Sequence, residues 1–460
     1  MQEPSPAGPT EGQFPRAYRI WFLTLAVLVS AFSVIDRTAL LTLGGAIKQD
    51  LKLSDMQFGL ISGVGFALFY AILGLPLARL ADTRSRVRLI AIAVGVFSVF
   101  AAVCGFARGF VQLLLCRVIV GVGEAGVQPP TVSVISDLYP PLRRGSALAI
   151  LSLGIPIGTL IGPIGGGFLA DATSWRMVFL VLGPPGLLVA VLAWVTLREP
   201  PRGLSDPAAP GADVPAPGVL AICRHLAAKP AFWHIVVAMA VTNFAAAGVG
   251  SFLPQYFSRS FSLSLGLTGV MFGLISAAST LGGTVSGGVV VDWLSRRDRR
   301  WCCWLPALGV AAAAPMYVAS FVLPNPILAT AVLVLAGASL FLYFTPTQVI
   351  LQNMVEPRMR GTAAFIFFLV SSLVGLGFGP ALLGYFSDRW ASGVFHGGDY
   401  LTQCPGGAAR AGSPLVGPAC HAASAIGLRG AMSVMSCLYV WAAVHFALAA
   451  RTIRRDLNSL

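Results

Sequence analysis

Apolar runs of about twenty residues recur along the whole chain, each long enough to cross a bilayer as a helix. Backbone amides in lipid must bond internally, so such runs are either helices or strands of a closed barrel. Barrel strands alternate in polarity and stop near ten residues, whereas these runs are longer and continuously apolar. Only 11% of the 460 residues are charged and 56% are hydrophobic, against about 25% charged in a soluble domain. The chain therefore reads as an all-α membrane protein. Twelve spans are expected near 18–45, 56–81, 88–107, 110–138, 146–171, 175–197, 232–258, 265–292, 302–323, 326–354, 361–387 and 426–450.

The opening "MQEPSPAGPTEGQF" is polar and acidic and lacks a basic region before an apolar core, so the first span reads as retained rather than cleaved. The net charge of +13 is explained by its placement. Lys and Arg concentrate in alternate loops, and that bias puts both termini in the cytoplasm of a multi-pass cell-membrane protein. A nucleic-acid partner is not needed to account for it. No GxSxG, HExxH, paired CxxC or phosphate-binding loop occurs, which leaves neither an enzyme nor a metal site to argue for.

The Pro/Ala/Gly-rich stretch "REPPRGLSDPAAPGADVPAPG" at 198–218 cannot span and reads as a flexible linker. The expected layout is a cytoplasmic tail over 1–17, a six-helix bundle over 18–198, a cytoplasmic linker over 199–230, a second bundle over 231–450 and a cytoplasmic tail over 451–460. Within the linker, "VLAICRHLAAK" at 219–229 has the pattern of a short amphipathic helix. The halves repeat each other. "PTVSVISDLYPPLRRGSALAI" from Pro130 aligns with "PTQVILQNMVEPRMRGTAAFI" from Pro346, pairing Pro141 with Pro357, Arg144 with Arg360 and Gly145 with Gly361. "GPIGGGFLAD" ending at Asp171 aligns with "GPALLGYFSD" ending at Asp388. A duplication at half-chain period marks a two-bundle transporter.

These features resemble the major facilitator superfamily. The loop "LADTRSRVR" keeps Asp82, Arg86 and Arg88 of that family's loop motif but departs from it at Ala78, Thr83 and Ser85. The second copy keeps Gly288, Asp292, Arg296 and Arg297, and "GTLIGPIGG" at 158–166 fits the family's glycine-proline motif. The resemblance implies twelve transmembrane helices in two pseudo-symmetric six-helix bundles, with spans one, four, seven and ten lining a central cavity. It also implies function as a monomer. "IDRTA" in span one and "RVIVGVGEAG" in span four are similar to the Spinster-type branch. That branch implies proton-coupled or proton-sensitive transport, by alternating access, of a lysolipid- or sphingolipid-like amphiphile. A symporter of small organic anions, whose branch has a similar Asp-Arg pair, is the alternative; a passive lipid scramblase ranks below it.

Asp36, Arg37, Arg117 and Glu124 lie deep within spans one and four. An isolated charge at the bilayer centre costs about 2.5–3.5 kcal/mol on the insertion scale. Two acids and two bases offset one another only if they meet. Arg117 and Glu124, seven residues apart, share a helix face, while Asp36 and Arg37 point about 100° apart. One of that pair is expected to face span four and the other the cavity or a neighbouring span. Glu124 and Asp36 are the candidate proton carriers, and protons are the only cofactor expected. Arg37 and Arg117, which stay protonated, are candidate tuners of those acids or partners of an anionic head group. The bland alternative is a charge cluster that merely fixes helix packing.

Spans seven, nine and ten carry no interior charge. Asn243, Tyr343 and Gln348 offer hydrogen bonds there, and Phe244 and Phe344 apolar walls, so with Arg37, Arg117 and Glu124 they form the candidate substrate contacts. Asp82, Arg86, Arg143, Arg144, Asp292, Arg296 and Arg297 are expected to form cytoplasmic gate pairs. Cys404 and Cys420 share the loop before the last span, on the expected outer side, where a disulfide is possible.

Overall fold

The computed structural model describes residues 14–205, 219–355, 373–409 and 416–458. Eleven helices among the described residues are long and apolar enough to cross a membrane, and they run from Arg16–Thr42 to Gly417–Asp456. They are numbered below as spans one to ten and twelve. The expected eleventh begins in residues that lie outside the description; its described part is the π-turn Leu373–Phe378 followed by the helix Gly379–Val394.

Local chemistry sets the helix ends. Ser54 and Gln57 form a capping box at the start of span two. Ser85, Ser174 and Ser264 accept first-turn amides of spans three, six and eight, and Asn325 accepts two at span ten. Span four is broken just past Glu124: it runs Phe110–Ala125, turns at Gly126–Val127, and resumes as Gln128–Leu138 with Pro129 and Pro130 in its first turn. Span ten breaks at the matching place, between Pro326–Phe341 and Phe344–Asn353. Proline cannot donate the bonds that would join the two pieces.

The packing divides into two units. The chain up to Leu40 and from Phe69 to the linker forms the first; Leu41–Leu68 with everything after the linker forms the second. The end of span one and the first part of span two pack with spans seven and eleven, because Gly59 and Gly384 let backbones touch there. The linker helix Val219–Ala227 is present, with Ile222 and Leu226 sunk into the second unit's core.

In the first unit, span five lies along span one on a ladder of glycines. A Cβ at Gly158 would meet Ala31 O at 2.7 Å, and one at Gly162 would meet Thr38 Oγ1 at 2.2 Å and Ile35 O at 2.8 Å. Small residues at four-residue spacing allow that approach. Gly123 does the same between spans four and three, against Phe97 N at 2.9 Å. These contacts fix the backbones that carry Asp36 and Glu124. Large apolar side chains such as Leu188, Val195, Val285 and Val322 remain more than half exposed, as lipid-facing positions should be.

Candidate functional site

Two rungs of charge join spans one and four inside the first unit. Arg117 Nη1 donates to Asp36 Oδ2 at 2.6 Å, and both side chains are almost wholly buried. Arg37 Nη2 donates to Glu124 Oε2 at 2.7 Å; here the carboxylate is 2% exposed but the arginine 38%. Residues 117 and 124 are separated by about 10.5 Å along the helix, yet consecutive residues of span one reach both. Arg37 does this by extending its long arm, so both members of the pair engage span four, and only Arg37 keeps an accessible face. The expectation that one of them would turn elsewhere is corrected by that reach.

The four charges sum to zero, which keeps the group tolerable in low dielectric. Each acid still has one buried oxygen, Asp36 Oδ1 and Glu124 Oε1, with no hydrogen-bond donor. A carboxylate oxygen without a donor is costly in such surroundings. Tyr70, whose hydroxyl donates to Gln128 Oε1 at 3.3 Å, lies within the field of Arg37 and Glu124. A tyrosine in an apolar span gives no periodic signal, so the sequence did not single it out.

The second unit brings its expected residues together in part. The Tyr343 hydroxyl donates to Asn243 Oδ1 at 2.9 Å. Tyr343 is buried against Phe446, so its hydroxyl is directed at Asn243. A Cβ at Gly375, in the π-turn, would meet Asn243 Cβ at 2.6 Å, which pins that side chain from span eleven. Phe344 is exposed, and Phe244 and Gln348 are half-buried.

Of the residues expected to form gate pairs, Arg86 has acidic partners that the sequence did not single out. Arg86 is buried; it pairs with Asp137 and donates to Glu199 Oε1 at 2.7 Å, Ser133 Oγ at 2.9 Å and Pro200 O at 2.8 Å. Asp137 also accepts the Gly203 amide at 2.9 Å. Burial raises the Glu199 carboxyl, but bonds from Arg86, the Val87 amide and Ser85 outweigh it and hold the group below its ordinary range. Asp137 and Glu199 were not singled out, because an acid at a helix end looks like any solvated loop charge.

Arg144 Nε instead bonds Ser136 O at 3.0 Å and Tyr139 O at 3.1 Å, closing the end of span four, and Arg143 is exposed. Asp292 and Arg296 are exposed and make no ion pair among the described residues; Arg297 lies 4.5 Å from the Trp293 ring. The nearby pair is Asp298 with Arg454 at 2.6 Å. The Asp82 side chain lies outside the description. Cys404 and Cys420 are joined in a disulfide, with Cα atoms 5.5 Å apart.

The family model of the Major Facilitator Superfamily matches residues 26–380. The chain belongs to that superfamily. It is similar to a solved structure: a crystal structure of a bacterial homolog to the human lysosomal transporter Spinster, inward-facing and unoccupied, superposes with a TM-score of 0.89. That protein is 32% identical, over 96% of this chain and 98% of the other. An MFS-type efflux pump of Mycolicibacterium smegmatis is 32% identical over 364 residues, 78% of this chain and 82% of that pump. A hexuronate transporter of Bacillus subtilis is 27% identical over 399 residues, 82% of this chain and 89% of that one. This facilitator is thus a multi-pass membrane transporter, not an enzyme, with Spinster-type structural neighbours.

Proposed function

We propose that this facilitator moves an amphiphile with an anionic head group, of the lysolipid or sphingolipid kind, by alternating access coupled to protons. The single observation that carries the reading is the difference between the two rungs. Arg117 and Asp36 are sealed from solvent, whereas Arg37 is accessible while holding a buried acid. An incoming phosphate or carboxylate binds Arg37 as a charge-assisted pair and draws it off Glu124. Glu124, stripped of its cation, then takes a proton instead. Substrate and proton thereby bind together, and Arg117 with Asp36 stays as the fixed rung that keeps span four in register.

The protein works in the cell membrane as a monomer with both termini in the cytoplasm, as the loop charges favour. Transport of a small organic anion by the same exchange is the second reading, and the likeness to a hexuronate transporter favours it.

The test is proton uptake in weakly buffered proteoliposomes. Adding a lysolipid is expected to release hydroxide-equivalent signal from wild type and none from Glu124→Gln, which should also lose the pH dependence of counterflow. Proton uptake with hexuronate but not lysolipid selects the second reading. Unchanged pH dependence in Glu124→Gln removes the proton role from Glu124.

A further inference from the structure

Within the second unit, spans seven and twelve each bring one histidine to the same point of their contact. His234 lies in the second turn of span seven, Pro230–Phe261, and His445 lies in span twelve, Gly417–Asp456. Their Nδ1 atoms are 3.1 Å apart, and the ring centroids 5.2 Å apart with the planes at 50°. Both rings are half-buried, and the Trp441 ring lies 6.0 Å from that of His445. The chain has five histidines, and these two are 211 residues apart, so no ligand spacing in the sequence announces them.

Two imidazole lone pairs repel each other unless something positive lies between them. With both rings neutral, one Nδ1–H fills the gap by donating to the other Nδ1. A metal ion can take the place of that hydrogen. The donating ring then carries its hydrogen on Nε2, and no proton is lost. Nitrogen–metal bonds of about 2.0–2.1 Å, spanning the 3.1 Å gap, meet at an angle of about 100°. That angle suits two neighbouring positions of a tetragonal copper(II) or nickel(II) site better than the wider angle of tetrahedral zinc. Calcium and magnesium prefer oxygen and are not matched by two nitrogens.

Other bonds hold the backbones that carry the two rings. Asp456, at the end of span twelve, accepts the Ala231 amide on its side chain at 2.9 Å, and its carbonyl accepts Lys229 Nζ at 2.9 Å. Nδ1 is also the ring nitrogen nearer the backbone, so the donor pair is fixed before any ion arrives. We propose that His234 and His445 form a bidentate site for a divalent transition-metal ion of the copper(II) type, with water completing the coordination. Among the described residues no third His, Cys, Asp or Glu joins them, so the ion keeps open positions. Bound there, it staples span seven to span twelve beside the linker helix, whose Ala227 carbonyl accepts Trp233 Nε1 at 2.9 Å.

The test titrates copper(II) sulfate alone into the full-length protein in lipid nanodiscs, without a histidine tag and with its thiols alkylated. Electron paramagnetic resonance and tryptophan fluorescence are the readouts. Wild type is expected to bind one ion, with two nitrogen ligands in its hyperfine pattern, and to lose fluorescence as the ion fills. His234→Gln and His445→Gln should each weaken binding about tenfold or more, since even loss of a residue behind a metal ligand costs that much. His396→Gln, at an exposed histidine elsewhere, should bind as wild type does. Trp441→Phe keeps both imidazoles and decides the matter if the histidine variants do not fold: it should keep the ion and lose part of the quenching. No stoichiometric binding by wild type, binding that survives either histidine change, or quenching unaltered in Trp441→Phe overturns the site.

Discussion

Removing one partner of the sealed rung should cost as much as removing both. Arg117 and Asp36 meet at 2.6 Å with side chains 1% and 3% exposed. Two unit charges about 4 Å apart attract by about 4 kcal/mol at an effective dielectric near 20. Losing one member of such a pair costs about 3–5 kcal/mol, because the survivor stays charged where water does not reach. Asp36→Asn strands an arginine that cannot shed its proton, so about 3 kcal/mol or more is expected from that variant and from Arg117→Gln. The double variant leaves two neutral amides and should lose no more than either single one. The cycle then gives a coupling of about 3 kcal/mol, at the upper end for neighbouring residues. Glu124→Gln is the control: the arginine that it strands has 38% of its side chain exposed and keeps its water, so stability should shift by no more than about 1 kcal/mol, although proton-dependent transport is lost. Reversible unfolding in mixed detergent micelles measures all four midpoints. Equal shifts for Glu124→Gln and Asp36→Asn, or singles that simply add in the double variant, would refute the distinction between a fixed rung and a movable one.

Three further perturbations probe the surroundings. Gly162→Leu drives a side chain into Thr38 and the Ile35 carbonyl; it should cost about 1–3 kcal/mol and lower counterflow, while Gly165→Leu, where a Cβ meets nothing within 4 Å, stays near wild type. Tyr343→Phe removes the donor at 2.9 Å from Asn243; a loss of about 0.6–1.7 kcal/mol is expected, read as a lower melting temperature with altered KM. Glu199, held below its ordinary value of 4.5, contributes stability that is fully present above that value and is lost as pH falls through its lower folded-state value. Glu199→Gln should therefore melt earlier than wild type at pH 7, and the gap should narrow below about pH 4.5; a gap that widens in acid contradicts the assignment.

Hydropathy made the spans legible because transfer to lipid is a nearly local property of each residue. The break after Glu124 was legible too, since Pro129 and Pro130 act on the chain wherever it packs, though the helix parts slightly earlier, at Gly126–Val127. Asp36, Arg37, Arg117 and Glu124 stood out because an ion in mid-span has no inexpensive place to go. Their pairing did not follow as simply. A 100° step between neighbours says where two Cβ atoms point, not how far an arginine reaches, and Arg37 reaches far enough to share span four with Asp36.

Charges at span ends hid their partners for the opposite reason. Asp137 and Glu199 sit where a loop charge is ordinarily solvated, so nothing in the sequence distinguishes a partner of a buried arginine from a charge on a wet rim. Arg297 and Arg86 look equivalent in their loops; one lies on a tryptophan ring and the other is sealed among two acids and a carbonyl. What separates them is whether tertiary packing brings an acid within reach and then excludes water. Asp36, Arg37, Arg117 and Glu124 balance their charge within the first unit, so the group is tolerable without a partner from elsewhere, and of the four only Arg37 keeps an open face.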